Sequence, residues 1–364
     1  MTEPSAGQTP AVDAVVVNYN GARTLGRCLR ALCEQTRPPR AIVVVDNGST
    51  DGSLEELRQR VPAIRLVELG ENRGIAAARN AGLAVTRSEL VLSVDADVYL
   101  SPDALECMLD AQVRHGAALV CPRIVLLPGA TQVQCDGAAL HFLGTLALRH
   151  AWHPLATTSD GAASVGACIG ACMLLRRTDL LEAGGFDELF FFYFEDQELC
   201  LRLRSRGRRI FCETAAVALH DRGEGTPGLS FRGQGSYPRR RAYLSMRHRW
   251  LCILIHYRPR TLVLLAPALA AYELCVVAMA GIRGWLPEWL ASWRWLVRHA
   301  GTIRERRRRA AAGRVVGDGE ILAGGPVPLA PGVLTSRIAR VLADGASAGL
   351  DAYWRSVRRW IDPA

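Results

Sequence analysis

The chain has 364 residues, 49% of them hydrophobic, which is enough for a substantial core and excludes global disorder. Its formal charge of +9 rests on 44 basic residues, all arginine, and is unevenly spread: residues 238–309 hold 15 arginines against 3 acids, whereas residues 1–237 hold 23 against 27. The basic character thus belongs to one segment, and with no nucleic-acid-binding motif in it, no nucleic acid is an expected partner.

The first ten residues are polar and carry no signal-peptide pattern, so residues 1–11 are expected to be a disordered N-terminus and the following part to stay in the cytosol. The 11 cysteines form no Cys-x-x-Cys pair and no zinc-like spacing, which fits a reducing compartment.

From residue 13 to about 120, strand and helix patterns alternate. Ala14–Val17 reads as a strand, Thr24–Cys33 as a helix and Ile42–Val45 as the next strand. The run Asp46-Asn47-Gly48-Ser49-Thr50-Asp51-Gly52 leads into a helix whose Ser53 and Glu56 have capping-box spacing. Ile64–Leu69 and Leu90–Val94 are further strands, with a helix at Ile75–Gly82 between them. Another helix follows from Pro102, with Ser101 at its N-cap. Alternation at this pace predicts parallel strands joined by right-handed crossovers, with helices on both faces of the sheet. Ligands gather at the carboxyl ends of such strands. Asn18, Asp46, Glu71-Asn72 and the pair Asp95 and Asp97 all fall there.

The run Leu90–Val94 is apolar enough for a strand buried on both faces, yet it ends in two carboxylates one residue apart. Alternate strand positions face the same way, so Asp95 and Asp97 could converge on one oxygen-loving ion, Mg²⁺ or Mn²⁺. The competing reading is that both merely cap the turn before the next helix.

Residues 121–165 are irregular, with room for short antiparallel strands. A strand is expected at Gly170–Arg177, followed by Gly184-Gly185-Phe186-Asp187-Glu188. The aromatic run Phe190–Phe194 then meets Glu195-Asp196 at a helix start, where acids can also serve only to complement the helix dipole. His220 closes the apolar run Ala215–Leu219 and could equally be structural. Arg222–Pro238 is Gly-rich and reads as a mobile loop.

In this order and spacing, six blocks resemble the inverting glycosyltransferases of family 2, above all their bacterial rhamnosyltransferase-like branch. The blocks are Val17-Asn18-Tyr19-Asn20-Gly21; Asp46–Ser53; Glu71-Asn72-Arg73-Gly74 with Arg79-Asn80-Ala81-Gly82; Asp95-Ala96-Asp97; Gly184–Glu188; and Glu195–Arg202. The resemblance implies a GT-A fold, Rossmann-like with a mostly parallel sheet, over residues 12–250. It also implies a UDP- or dTDP-sugar donor, a divalent Mg²⁺ or Mn²⁺ and inversion at the anomeric carbon. By motif, Asn18 and Asp46 would lie at the nucleotide, Asp46 on its base. Asn72, Gly74, Arg79 and Asn80 would shape the pocket, and Asp95 would meet the ribose or phosphate. Asp97 would ligate the metal, His220 would be a second metal or diphosphate contact, and Asp196 would be the general base.

Downstream, Leu262–Ile282 is mostly apolar but broken by Pro267 and Glu273, with Arg258, Arg260 and Arg283 at its ends. Trp285, Trp289, Trp293, Trp295, Arg304 and Arg306–Arg309 follow. Basic residues and tryptophans beside an apolar segment describe helices lying in the headgroup layer of an anionic membrane; core helices are the alternative. Residues 251–310 are therefore expected to be a membrane-associating helical region, and 311–364 a Gly/Pro connector (311–332) ending in a short interfacial helix at Asp351–Ile361. The expected protein is peripheral or monotopic on the cytoplasmic face of the plasma membrane, moving a single sugar to a lipid-linked or cell-envelope glycan acceptor. A processive polysaccharide synthase is a weaker fit, because Met246-Arg-His-Arg249-Trp250 lacks the Gln of that class's Gln-x-x-Arg-Trp motif. A non-catalytic membrane adaptor is weaker still, because Asp97 and Asp196 are both present.

Overall fold

The computed structural model describes residues 10–60, 64–158, 161–222, 237–327 and 337–362. The N-terminus before residue 10, most of the Arg222–Pro238 loop and the end of the 311–332 connector lie outside them.

The chain divides into two compact units that alternate along the sequence. The first begins with β1 (Val12–Asn18), α1 (Leu25–Cys33), β2 (Ala41–Asp46), α2 (Ser53–Arg60), β3 (Ile64–Glu68), α3 (Ile75–Val85) and β4 (Leu90–Asp95). It continues through β5 (Val98–Leu100), α4 (Ala104–His115), β6 (Leu119–Leu126) and β7 (Val133–Cys135). The chain then gives β8 (Ala138–His141) and β9 (Thr145–Leu148) to the second unit and returns for β10 (Ala162–Val165), β11 (Cys172–Arg176) and α5 (Arg177–Glu182). α6 (Glu195–Ser205) belongs to the second unit and β12 (Ile210–His220) to the first. Everything after residue 221 is second unit: α7 (Arg239–His256), α8 (Pro259–Arg283), α9 (Leu286–Arg298), α10 (Ala300–Ala312), α11 (Asp318–Ile321), β13 (Leu322–Ala323) and α12 (Arg337–Val357).

The first unit is built on one sheet in the order β10-β12-β6-β11-β4-β1-β2-β3, with β5 added to β12 and β7 to β6. β4, β1, β2 and β3 are parallel, in the expected register of alternating strand and helix. Every residue of β1 is buried, and only the first residue of β2 and the last of β4 are partly exposed, so side chains on both faces of these strands meet cover. The other half is mixed: β11 runs antiparallel to both β4 and β6, while β6 and β12 are parallel.

Several local expectations need correction. β6 is a fully buried eight-residue strand in the stretch read as irregular. Its Pro122 is accommodated at a break in register, where β12 skips from Glu213 to Val217. The Asp95–Asp97 segment is a tight turn into β5, not a lead into a helix. α4 starts at Ala104 with Asp103 at its N-cap, after the predicted Ser101 start. At the start of α2, the Glu56 side chain of the predicted capping box lies outside the described residues, and Ser53 has two other partners. The Ser53 hydroxyl accepts from Asn18 Nδ2 (2.9 Å), and Asp51 accepts the Ser53 N–H (3.1 Å).

The second unit has a small sheet, β13-β8-β9, and helices. The boundary drawn at residue 250 falls inside α7, which runs unbroken to His256. The terminal helix spans 21 residues, not the last eleven, and its apolar face is used within the unit. Trp354 is buried and stacks on Phe142 at 5.0 Å.

α8 is a 25-residue helix that carries Pro267 in its interior. Val263, Leu274 and Ile282 on it are 73%, 71% and 82% exposed. Ala266, Pro267, Ala270, Ala271, Cys275 and Ala278 are exposed as well, which gives an uncharged stripe at helical spacing along the whole element. Glu273 is turned inward instead. It accepts from Arg249, from Trp250 Nε1 (2.8 Å) and from Trp289 Nε1 (2.7 Å).

Candidate active site

The carboxyl ends of β1, β2 and β4 and the loop after β3 supply the first unit's polar cluster. Asn18 and Asp46 are directly opposite in the β1–β2 register, which puts their side chains in reach of each other. Asn18 Nδ2 donates to Asp46 Oδ1 (2.9 Å). Asp46 Oδ2 accepts the N–H groups of Gly48 (3.1 Å) and Ser49 (2.9 Å). With only 2% of the residue exposed, Asp46 spends both oxygens on the shape of the 47–50 loop.

Asn47, which motif reading passed over, joins this loop to the next. Its Nδ2 donates to Asn72 Oδ1 (3.1 Å), and its Oδ1 accepts the Arg73 N–H (2.9 Å). The two loops touch closely at Gly48 (φ +80°), where a Cβ would lie 2.7 Å from the Glu71 backbone. Asn72 Oδ1 also takes the Gly74 N–H (3.0 Å). Gly74 has φ +88°, and a Cβ there would lie 2.4 Å from the Phe191 carbonyl oxygen, so only glycine fits.

Arg79 is buried and does not reach outward. Its Nη2 donates to Asp95 Oδ1 (3.0 Å) and to the Gly170 carbonyl (2.7 Å). Asn80 faces another neighbour: its amide exchanges hydrogen bonds with the Phe186 backbone (2.8 and 2.9 Å) and donates to Glu188 (3.0 Å). It secures the Gly184–Glu188 turn and is not gathered with Asp46 and Asn72.

The two aspartates of the turn have different partners. Asp95 is held by Arg79, whereas Asp97 Oδ2 lies 3.4 Å from His220 Nε2. Although a quarter of the Asp95 side chain meets solvent, burial pushes its carboxyl up to about 6; Arg79 opposes this and the Asp97 charge adds to it. His220 ends β12 opposite Val98 of β5, so the strand pairing itself brings it to the turn. Its Nδ1 faces Gln134 Oε1 at 2.8 Å. Gln134 was not foreseen, and no sequence signal marks it.

Asp97 and His220 offer a carboxylate oxygen and an imidazole nitrogen side by side, two donors that could hold part of the shell of a divalent ion such as Mn²⁺. Asp196 lies in the other unit, in the first turn of α6, where its Oδ1 accepts the Gln197 N–H (2.7 Å).

An α/β sheet with an acidic turn at the end of a central strand, and a histidine beside that turn, is the arrangement expected of a sugar-nucleotide transferase, and the comparisons bear on that class. Residues 13–180 match the family model described as "Glycosyl transferase family 2". Over this stretch the chain carries a domain similar to that family's, and it is a glycosyltransferase.

Among known proteins, the chain is 29% identical over 240 residues to an N-acetylglucosaminyl-diphospho-decaprenol L-rhamnosyltransferase of Mycobacterium tuberculosis, covering 60% of this chain and 78% of that one. The structure resembles S. aureus TarS 1–349 in complex with UDP at TM-score 0.50 and 18% identity, over 96% and 90% of the two chains. It also resembles GalNAc-T7 with UDP, GalNAc and Mn²⁺ at TM-score 0.56 and 14% identity, over 81% of this chain and 58% of that one. At such identities the structural likeness establishes the GT-A fold alone.

Proposed function

We propose that this glycosyltransferase moves one sugar, with inversion, from a nucleoside-diphosphate sugar to a lipid-linked acceptor. The observation that carries the reading is the Asp97–His220 pair at the strand ends, beside the interlocked 46–50 and 71–74 loops. These loops form the nucleotide side. A divalent ion held by Asp97 and His220, when bound, would neutralise the diphosphate as it leaves. The Mn²⁺ and UDP named with GalNAc-T7 support this choice of ligand. Arg79 keeps Asp95 oriented, and Asp95 in turn adds negative potential at the metal position.

The acceptor hydroxyl must lose a proton as it attacks, and single displacement needs one base on the face opposite the leaving group. Asp196, partly exposed at a helix start, is the carboxylate assigned to that role. The decaprenol-linked substrate in the name of the mycobacterial relative supports a lipid-linked acceptor. The apolar stripe of α8, with Arg258, Arg260 and Arg283 at its ends, supports peripheral attachment to an anionic membrane surface.

The test is a panel of UDP-, dTDP- and GDP-sugars incubated with membranes, with release of nucleoside diphosphate as readout. Activity with one donor only in the presence of Mg²⁺ or Mn²⁺ supports the reading, and metal-independent turnover refutes the ion. Asp196→Asn should lower kcat at least a hundredfold; a variant as active as the parent removes Asp196 as the base.

A further inference from the structure

We propose that Gln134 is a positioning residue that fixes the proton of His220 on Nδ1 and thereby presents Nε2 as a lone-pair donor beside Asp97. This rests on the metal reading of the Asp97–His220 pair.

Three independent features of the first unit carry the assignment. The first is the bulge that holds Gln134. In the β6–β7 ladder Ile124 pairs with Cys135 and Val125 with Val133, so Gln134 is the extra residue. A bulged residue is released from the alternation of its strand, and its side chain can be re-aimed. Here it is aimed at the imidazole, with Oε1 2.8 Å from Nδ1.

The second is the rigidity of the target. His220 is paired with Val98 on one side and Leu126 on the other, and its carbonyl accepts the Leu127 N–H (3.0 Å). Asp97 is fastened to the same strand end, because its carbonyl accepts the Asp221 N–H (2.8 Å). The main chain of both residues is thereby fixed at the strand ends.

The third is the chemistry of the two ring nitrogens. An amide oxygen only accepts, so Gln134 Oε1 requires a hydrogen on Nδ1. The neutral ring then has a bare Nε2, and that nitrogen faces Asp97 Oδ2 at 3.4 Å. A hydrogen-bond acceptor on the far nitrogen of a ligating histidine is how the tautomer and ring plane are set for a metal.

The roles of the two amide ends of Gln134 make the idea testable. Gln134→Glu keeps an acceptor toward Nδ1, whereas Gln134→Leu removes it. In the metal-free protein, ¹⁵N shifts of the His220 ring should report the Nδ1–H form in the parent and in Gln134→Glu, with a mixture in Gln134→Leu. A parent ring carrying its proton on Nε2 overturns the proposal.

Mn²⁺ binding in the presence of UDP or dTDP, read by electron paramagnetic resonance, should weaken ten- to a hundredfold in Gln134→Leu and be retained in Gln134→Glu, at unchanged melting temperature. Unchanged Mn²⁺ affinity in Gln134→Leu overturns the proposal alone, provided His220→Ala loses Mn²⁺. Unchanged affinity in His220→Ala overturns the metal reading from which the proposal starts.

Discussion

Nδ1 of His248 donates to the Tyr193 carbonyl at 2.8 Å, pinning a residue whose φ is +67°. Phe194 follows at φ +71°, so two successive bulky residues sit in the left-handed region directly before α6 and Asp196. Such backbone costs about 1–3 kcal/mol per residue and persists only where surroundings hold it. His248 is that surrounding: it is buried, takes a hydrogen bond from Arg247 on Nε2 (2.6 Å) and meets the Phe194 ring edge-on. His248→Ala should lower stability by about 1–3 kcal/mol and reduce kcat more than donor KM, measured by urea denaturation and initial rates.

The same histidine predicts a pH response. Burial, and then the Arg247 charge, push its pKa down to about 3. The unfolded chain takes the proton near 6.5 and the folded chain does not, so this contribution to stability is complete above 6.5. It is lost progressively as pH falls from 6.5 toward 3, at up to about 1.4 kcal/mol per pH unit. Denaturation midpoints at pH 7.5 and 5.5 should therefore differ more in the parent than in His248→Asn. Equal shifts would contradict the buried neutral ring.

A second acid-sensitive element lies on α6. Glu198 accepts from Arg202 (2.7 Å) and from His256 Nε2 (3.0 Å), with Glu198 and His256 side chains both 1% exposed. Burial raises the carboxyl's pKa, but Arg202 and His256 outweigh it and bring it down to about 2. A depressed carboxylate stabilises the fold above its unfolded value near 4.5 and loses that contribution as pH falls from there toward 2. Glu198→Ala should cost about 3–5 kcal/mol at pH 7, because it breaks a buried ion pair. A loss under 1 kcal/mol would show the network to be dispensable.

At the nucleotide side, Gly74→Ala should fail for two separate reasons, the positive φ and the 2.4 Å approach to Phe191. Titration of the variant with UDP and Mn²⁺ should give at least a tenfold weaker Kd, and its melting temperature should drop by several degrees. Parent-like affinity would mean that the 71–74 loop does not shape the nucleotide site.

For the exposed stripe of α8, charge is the probe. Leu274→Asp alters a residue that is 71% exposed, so stability should change by less than about 0.5 kcal/mol. Co-sedimentation with vesicles containing anionic lipid should nonetheless fall severalfold. Binding equal to that of the parent would remove the membrane surface as the partner of this face.

The parallel half of the sheet was legible because each strand–helix repeat is local and its apolar runs are continuous. The end of β4 at Asp95 was legible for a related reason, because a buried apolar run stops where carboxylates begin, whereas the turn into β5 was not. Nor was the other half of the sheet. β6 contains Pro122, which argues against a central strand until a distant break in β12 accommodates it. β8 pairs with β13, about 180 residues further on, and nothing local announces that partner. Gln134 was invisible because a bulge exists only once two strands are paired. Glu273 looked like an obstacle to a lipid-facing helix, but the structure turns it inward onto Arg249, Trp250 and Trp289. The loop bonds of Asp46 were not legible, because motif position reveals nothing of how many neighbouring N–H groups a carboxylate serves.

The alternation of the two units along the chain has a consequence for synthesis. The helix bearing Asp196 emerges early, but His248 and His256, which hold its approach and its first turns, leave the ribosome some fifty to sixty residues later. At about 5–20 residues per second, that is a delay of seconds during which the sheet of the first unit can close while α6 waits. The carboxylate assigned as base is thus among the last groups to be fixed. A translational pause or a premature stop between residues 221 and 248 would leave a chain that has every strand of the first unit's sheet but lacks the histidines that hold α6.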